Sequence, residues 1–244
     1  MLRDTNTSVV DQSGFVIPRR LPFRSMKPKL VNRGVYDAQE VALLLGRVSV
    51  DTIIRWSAPN SAGQSAVVSP SLTTAFSFVD LVSLSVAVKL YERGVSDRHL
   101  RQGVSELTKR VGSATPFSRR DVLARVATSG TAFLWNEDGE WIDLGTGGQG
   151  TFKDIVVLYL KTVDFDPTGI AARWRPTLHV VLDPRVQAGA PVVEGTRVPT
   201  ATIAELAEDQ SLDEIAKEYD LPLAKVKAAV AFEATLRAGA GIAA

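Results

Sequence analysis

A chain of 244 residues, 45% of them apolar, is long enough to bury a sizeable core as one large domain or two small ones. Its 28 Lys and Arg against 27 Asp and Glu leave a net charge of +1, so any electropositive surface must come from uneven placement of the cations. The absence of cysteine excludes a disulfide framework, a thiolate zinc site and a cysteine nucleophile. The N-terminus lacks a secretory apolar core, and no apolar run approaches the ~20 residues that span a bilayer, so a soluble cytoplasmic protein without membrane contact is expected.

Residues 1–34 show no helical period. Between Phe15 and Arg33 the cations Arg19, Arg20, Arg24, Lys27, Lys29 and Arg33 stand among prolines with no carboxylate to offset them, which reads as a basic extended arm. From Tyr36 the pattern turns helical. Asp37 is placed to cap a helix that Gly46 ends near Leu45, and Ser49 to cap a second helix through about Trp56. The stretch 58–71, with Gly and Pro around Val67 and Val68, predicts a small β-hairpin wing. A strongly apolar helix follows over 76–92, closed by Gly94, then a helix capped by Ser96 and bearing Leu100, Val104, Leu107 and Val111 on one face. A further helix is expected from Ser118.

Asp138-Gly139 between two alternating apolar runs, with Trp135 and Trp141 beside it, predicts a central hairpin. The apolar run 151–166 reads as a helix, 169–184 as a strand pair or extended link, and the segments from Pro199 onward as helices, one of them opened by a Ser211/Glu214 capping box.

Chemistry finds little purchase in this chain. The glycines of 145–150 are followed by no Lys-Ser/Thr pair and no acidic residue after a second strand, so nucleotide binding there is not expected. His99 stands alone on a polar face and His179 among apolar residues, so no metal or cofactor is expected. The pairs Asp164/Asp166 and Glu137/Asp138 fall in turns. With no convergent nucleophile, base or metal cluster, no catalytic residue is assigned and an enzyme is not expected.

Helix-turn-helix chemistry fits better. Ala42 allows two helices to cross closely, Gly46 supplies a left-handed turn, and Ser49, Asp51, Thr52 and Arg55 face outward on the second helix. The order helix-turn-helix, wing, long helix ending in Arg93-Gly94-Val95-Ser96 resembles the MerR-like winged helix-turn-helix over about residues 36–110, with Arg47 as an extra residue in the turn. The stretch Gly189, Pro191, Val193, Gly195, Thr196, Arg197, Val198, Pro199, with Ala190 where Lys is usual, resembles the family catalogued as domain of unknown function 433, over about 182–236. On the residues alone, Gly195 makes a turn, Val192, Val193 and Val198 a short strand, and Arg197 a clamp on a helix end.

Together the two resemblances imply a VapB-type antitoxin that sequesters a PIN-domain ribonuclease and represses its own operon. The expected fold is α+β and mostly helical: a basic arm (1–34), a winged helix-turn-helix unit with following helices (35–128), a hairpin and connecting region (129–180) and a C-terminal helix-turn-helix unit (181–238). The expected DNA contacts are Arg19, Arg20, Arg24, Lys27, Arg47, Ser49, Thr52, Arg55, Lys225 and Lys227, with DNA, the toxin and a second copy of the chain as partners. A stand-alone regulator sensing a small molecule around Trp135 and Trp141 is the alternative.

Overall fold

The computed structural model describes residues 34–72, 75–146, 156–157 and 162–240. The arm, Gly34 apart, lies outside the described residues. Strand β1 (Val35–Tyr36) pairs antiparallel with β2 (Phe76–Ser77), and this ribbon encloses the first two helices. Helix α1 (Ala38–Leu45) opens with a capping box, Asp37 accepting from the Glu40 amide and Glu40 from the Asp37 amide, and closes at Gly46, whose φ of 70° needs no Cβ. Ser49 caps α2 (Val50–Trp56). Their apolar stripe buries Val41, Ala42, Ile53 and Trp56.

Helix α3 (Phe78–Glu92) runs through the middle of the core, so apolar residues surround it and its polar ones must bond locally. Asp80 accepts from Ser71 and Ser77, while the Ser83 and Ser85 hydroxyls donate to the carbonyls of Val79 and Val82. Helix α4 (Asp97–Val111) lies on this core through Leu100, Val104 and Leu107. No hairpin wing forms over 58–71. Asn60 instead winds the loop on itself, its side-chain oxygen accepting from the amides of Ala62 and Gln64, and the amides of buried Val67 and Val68 both donate to the Trp56 carbonyl.

Past α4 the fold holds more strand than expected. A 3-10 turn (Pro116–Ser118) and the one-turn α5 (Arg120–Leu123) stand where a full helix is predicted, and Val126–Ser129 is already strand β3. It pairs with β4 (Ala132–Glu137), which forms the predicted hairpin with β5 (Glu140–Asp143) about Asp138 and Gly139, both at positive φ. The helix predicted over 151–166 is contradicted where the chain is described. There β6 (Val156–Val157) pairs with β3, and β7 (Val163–Phe165) joins a second sheet. The two orders are β5-β4-β3-β6 and β10-β9-β8-β7, the latter with β8 (Ala171–Thr177), β9 (Val180–Leu182) and β10 (Val192–Val193).

The C-terminal helices α6 (Thr200–Leu206), α7 (Leu212–Glu218) and α8 (Leu223–Ala240) enclose a smaller core of Val193, Ile203, Ile215, Val226 and Ala229. Near Gly239, α8 reaches α1 beside Leu43. Among the described residues the chain is thus a mixed α/β protein of eight α-helices and three small antiparallel sheets. No described helix is long and apolar enough to cross a membrane.

Candidate nucleic-acid interface

The turn between α1 and α2 sets the geometry of the site. Gly46 reverses the chain, Ser49 fixes the first turn of α2 by accepting from the Thr52 amide at 3.2 Å, and the two hydroxyls lie 3.1 Å apart. Helical spacing then sets Arg55 on the outward side with Asp51 and Ile54, while Ile53 and Trp56 point inward. Thr52, four residues before Trp56, is half-buried at the edge of that inward face, and Ser49 caps the helix from its exposed N-terminus. Arg55 is exposed and its guanidinium stands 3.9 Å from Asp97. Arg47 projects from the turn, three-quarters exposed, with its Nε 3.3 Å from Glu92. Asp51, exposed in the first turn, suits the positive end of the helix. Arg47, Ser49 and Arg55 are therefore exposed along one turn-and-helix segment, Thr52 is half-buried and not outward-facing as expected, and Arg19, Arg20, Arg24 and Lys27 lie outside the described residues.

The C-terminal candidates fare differently. Lys225 is not free for phosphate: its ammonium donates to the Glu194 carbonyl at 2.8 Å and ties α8 to the loop after β10. Lys227 is exposed and makes no hydrogen bond or ion pair among the described residues. Around it the unit is acidic. Glu205, Glu208, Asp209, Asp213, Glu214, Glu218 and Asp220 are all exposed, with Lys217 the one cation of that span and Glu208 paired to Arg237 at 3.1 Å, so this stretch carries an excess of negative charge.

The stretch 189–199 is built as a joint. Gly189, at φ 86°, lets the chain touch the N-terminal ribbon, where an added Cβ would come within 2.8 Å of Gly34 Cα; the Tyr36 hydroxyl donates to its carbonyl at 2.9 Å. Burial, with Glu40 and Asp183 nearby, raises that phenol well above its ordinary range. Gly195, at φ 83°, makes the next turn. There the Thr196 hydroxyl donates to the Val193 carbonyl and accepts from the Val198 amide. Arg197 is not the expected clamp: its side chain is exposed and makes no hydrogen bond or ion pair among the described residues.

The clamping arginines are others. Arg175 grips Asp164 with two bonds of 2.7 Å and Glu194 with one of 2.8 Å, which holds both carboxyls below their ordinary range. So Asp164 sits in a strand, not a turn. Burial pushes the Asp183 carboxyl up, but bonds from the Arg185 side chain and amide and from Arg173 prevail and hold it at about 2. His179, read from its apolar neighbours as a core or edge residue with its polar atoms satisfied, is not satisfied. At the β8–β9 turn its Nδ1 is buried without a hydrogen-bond partner, 3.8 Å from Glu194.

One group escaped the sequence reading. Arg101 of α4 is fully buried and donates to the carbonyls of Arg55, Ala58 and Ser65 and to Asp97, whose other oxygen accepts from the Trp56 indole. The available signal was an arginine one position off the Leu100–Val104–Leu107 stripe.

Residues 180–232, from β9 into α8, match the family model described as "Protein of unknown function (DUF433)". The chain is similar to the X-ray crystal structure of Rv2018 from Mycobacterium tuberculosis, with a TM-score of 0.57 and 20% identity over 83% of this chain and 99% of that one. No curated protein matches it. The joint around Gly189 and Gly195 and the three helices after it thus form a C-terminal unit that matches the DUF433 family, within a fold similar to that of Rv2018.

Proposed function

We propose that the protein is a DNA-binding antitoxin of a type II toxin–antitoxin pair, which reads its operator with α2 and sequesters a PIN-domain ribonuclease. The observation that carries the reading is the exposure of Arg47, Ser49 and Arg55 along the turn and α2, with Thr52 half-buried beside them and α2 held from behind by Ile53 and Trp56. A helix presented this way reads base edges in a major groove with its first turns. The succession of α1 to α4 keeps the helical part of the MerR-like order, without its hairpin wing, and is compatible with the same use. Two-fold pairing of such units on two half-sites implies a homodimer.

The acidic surface of α6 and α7 divides the work. The negative excess between Glu205 and Asp220 disfavours a polyanion, so sequence reading falls to α2 and the C-terminal unit serves protein contact. A PIN active site is itself an acidic, magnesium-binding pocket, so the complementary charge is the six cations between Arg19 and Arg33, which suit DNA phosphates as well. The resemblance of residues 182–236 to units that partner PIN nucleases supports the toxin half. Co-expression with the adjacent gene product tests it: a co-purified nuclease whose RNA cleavage is suppressed is expected, and an adjacent product that neither binds nor cleaves RNA contradicts it.

A second reading, a stand-alone regulator sensing a small molecule, is favoured by one observation. A cleft of about 370 Å³ opens between α4, β5 and the loop at 63–65, lined by Gln64, Gln102, Ser105 and Lys109 among others. It is not at the expected tryptophan pair, since Trp135 packs into the core with Arg125 over its ring at 5.6 Å. Thermal-shift screening against metabolites separates the two readings.

A further inference from the structure

We infer that Arg101 is the positioning residue of the candidate reading helix: from α4, its guanidinium fixes the angle at which α2 presents Ser49, Thr52 and Arg55. The inference rests on the DNA-binding reading above. Apolar contacts of Ile53 and Trp56 decide which face of α2 turns inward, but they are non-directional and leave its tilt and rotation loosely set. Directional bonds have to supply the rest.

Arg101 supplies them at one point. Its side chain is 0% exposed, and a buried guanidinium needs its charge paired and its forked N–H groups answered; four of the five find acceptors. Here Nη2 donates to the Arg55 carbonyl, Nη1 to those of Ala58 and Ser65 at 2.9 Å each, and Nε to Asp97 at 3.3 Å. The Arg55 carbonyl belongs to the last turn of α2, where carbonyls lack helical partners and the helix end is negative, and that of Ala58 follows just beyond. The cation thereby acts as a C-terminal cap delivered from another helix. Through Ser65 the same group also pins the loop that follows.

Asp97 adds a second fastening. It accepts from the indole of Trp56, the last residue of α2, whose ring meets Tyr91 of α3 edge-on at 5.5 Å. The Arg55 side chain stands near the same carboxylate, so a base-contact candidate and the lock share one partner. Lysine cannot reproduce this, because an ammonium is a point charge without the planar fork.

The test uses the full chain and two duplexes of equal length, one selected by the wild-type protein from a randomised pool and one of mixed sequence. Arg101→Lys is expected to bind the mixed duplex with wild-type affinity and salt slope, and to lose roughly tenfold of the preference for the selected one, as much as one good base contact confers. Asp97→Asn and Trp56→Phe are expected to lose preference in the same direction and to a smaller extent. In a double-mutant cycle the losses from Arg101→Lys and Arg55→Ala should fail to add. A merely structural role would lower the melting temperature and leave preference, measured well below it, untouched. Wild-type preference in Arg101→Lys overturns the inference; should that variant not fold, wild-type preference in both other variants does so. A wild-type protein that selects no duplex overturns instead the DNA-binding reading, and the inference with it.

Discussion

At the scale of single residues, glycine and aspartate positions carry specific tasks. Gly189 combines a φ of 86° with contact to Gly34 and Tyr36, so Gly189→Ala adds backbone strain to a clash with rigid neighbours. A loss of about 2–4 kcal/mol is expected in chemical denaturation. Asp183 makes a pH-dependent contribution with a definite sign. Its folded carboxyl, held at about 2, lies below the ordinary unfolded value of about 4, so its stabilisation is full above pH ~4 and fades as pH falls through ~2. Asp183→Asn should therefore cost about 2 kcal/mol at neutral pH, and the gap between variant and wild type should close on acidification from pH ~4 to ~2. A gap that stays constant over that range would show that the arginine pairing contributes nothing through ionisation.

At the scale of elements, caps and ties decide what each helix can do. Ser49→Ala removes the side-chain acceptor of the Thr52 amide, and a loss of about 1 kcal/mol in stability is expected from the missing cap. Lys225→Met removes the tie between α8 and the Glu194 carbonyl. It should lower the thermal midpoint and leave DNA affinity unchanged, which a melt and a binding titration on the same sample can check. These elements were legible in the sequence to very different degrees. The caps at Asp37, Ser49, Ser96 and Ser211 and the Asp138-Gly139 turn were legible because a few adjacent residues determine them. Strand β6 was not, because a short apolar run has no period that separates strand from helix, and its state depends on the distant β3. Val67 and Val68 look like a strand pair yet their amides share the one Trp56 carbonyl, and Lys225 looks like a free cation until the loop at Glu194 folds over it.

At the scale of the whole molecule, charge is sorted along the chain: cations between Arg19 and Arg33 and carboxylates between Glu205 and Asp220, with a net balance that hides the division. If phosphate contacts supply most of the affinity, binding must weaken steeply with salt. Replacing Arg19, Arg20 and Arg24 by alanine should then reduce the slope of log affinity against log salt by about 0.9 per lost contact. An unchanged slope would remove the arm from the DNA interface. The central claim is that α2, and not the C-terminal unit, reads sequence. Its most direct test compares two variants, Ser49→Ala/Thr52→Ala/Arg55→Ala and Lys225→Met/Lys227→Met, on a duplex selected by the wild-type chain and on a mixed-sequence duplex. The account predicts that the first loses discrimination, by about 1–3 kcal/mol for each well-seated contact, while the second discriminates as the wild type does. Loss of discrimination in the second variant with the first unaffected would contradict it.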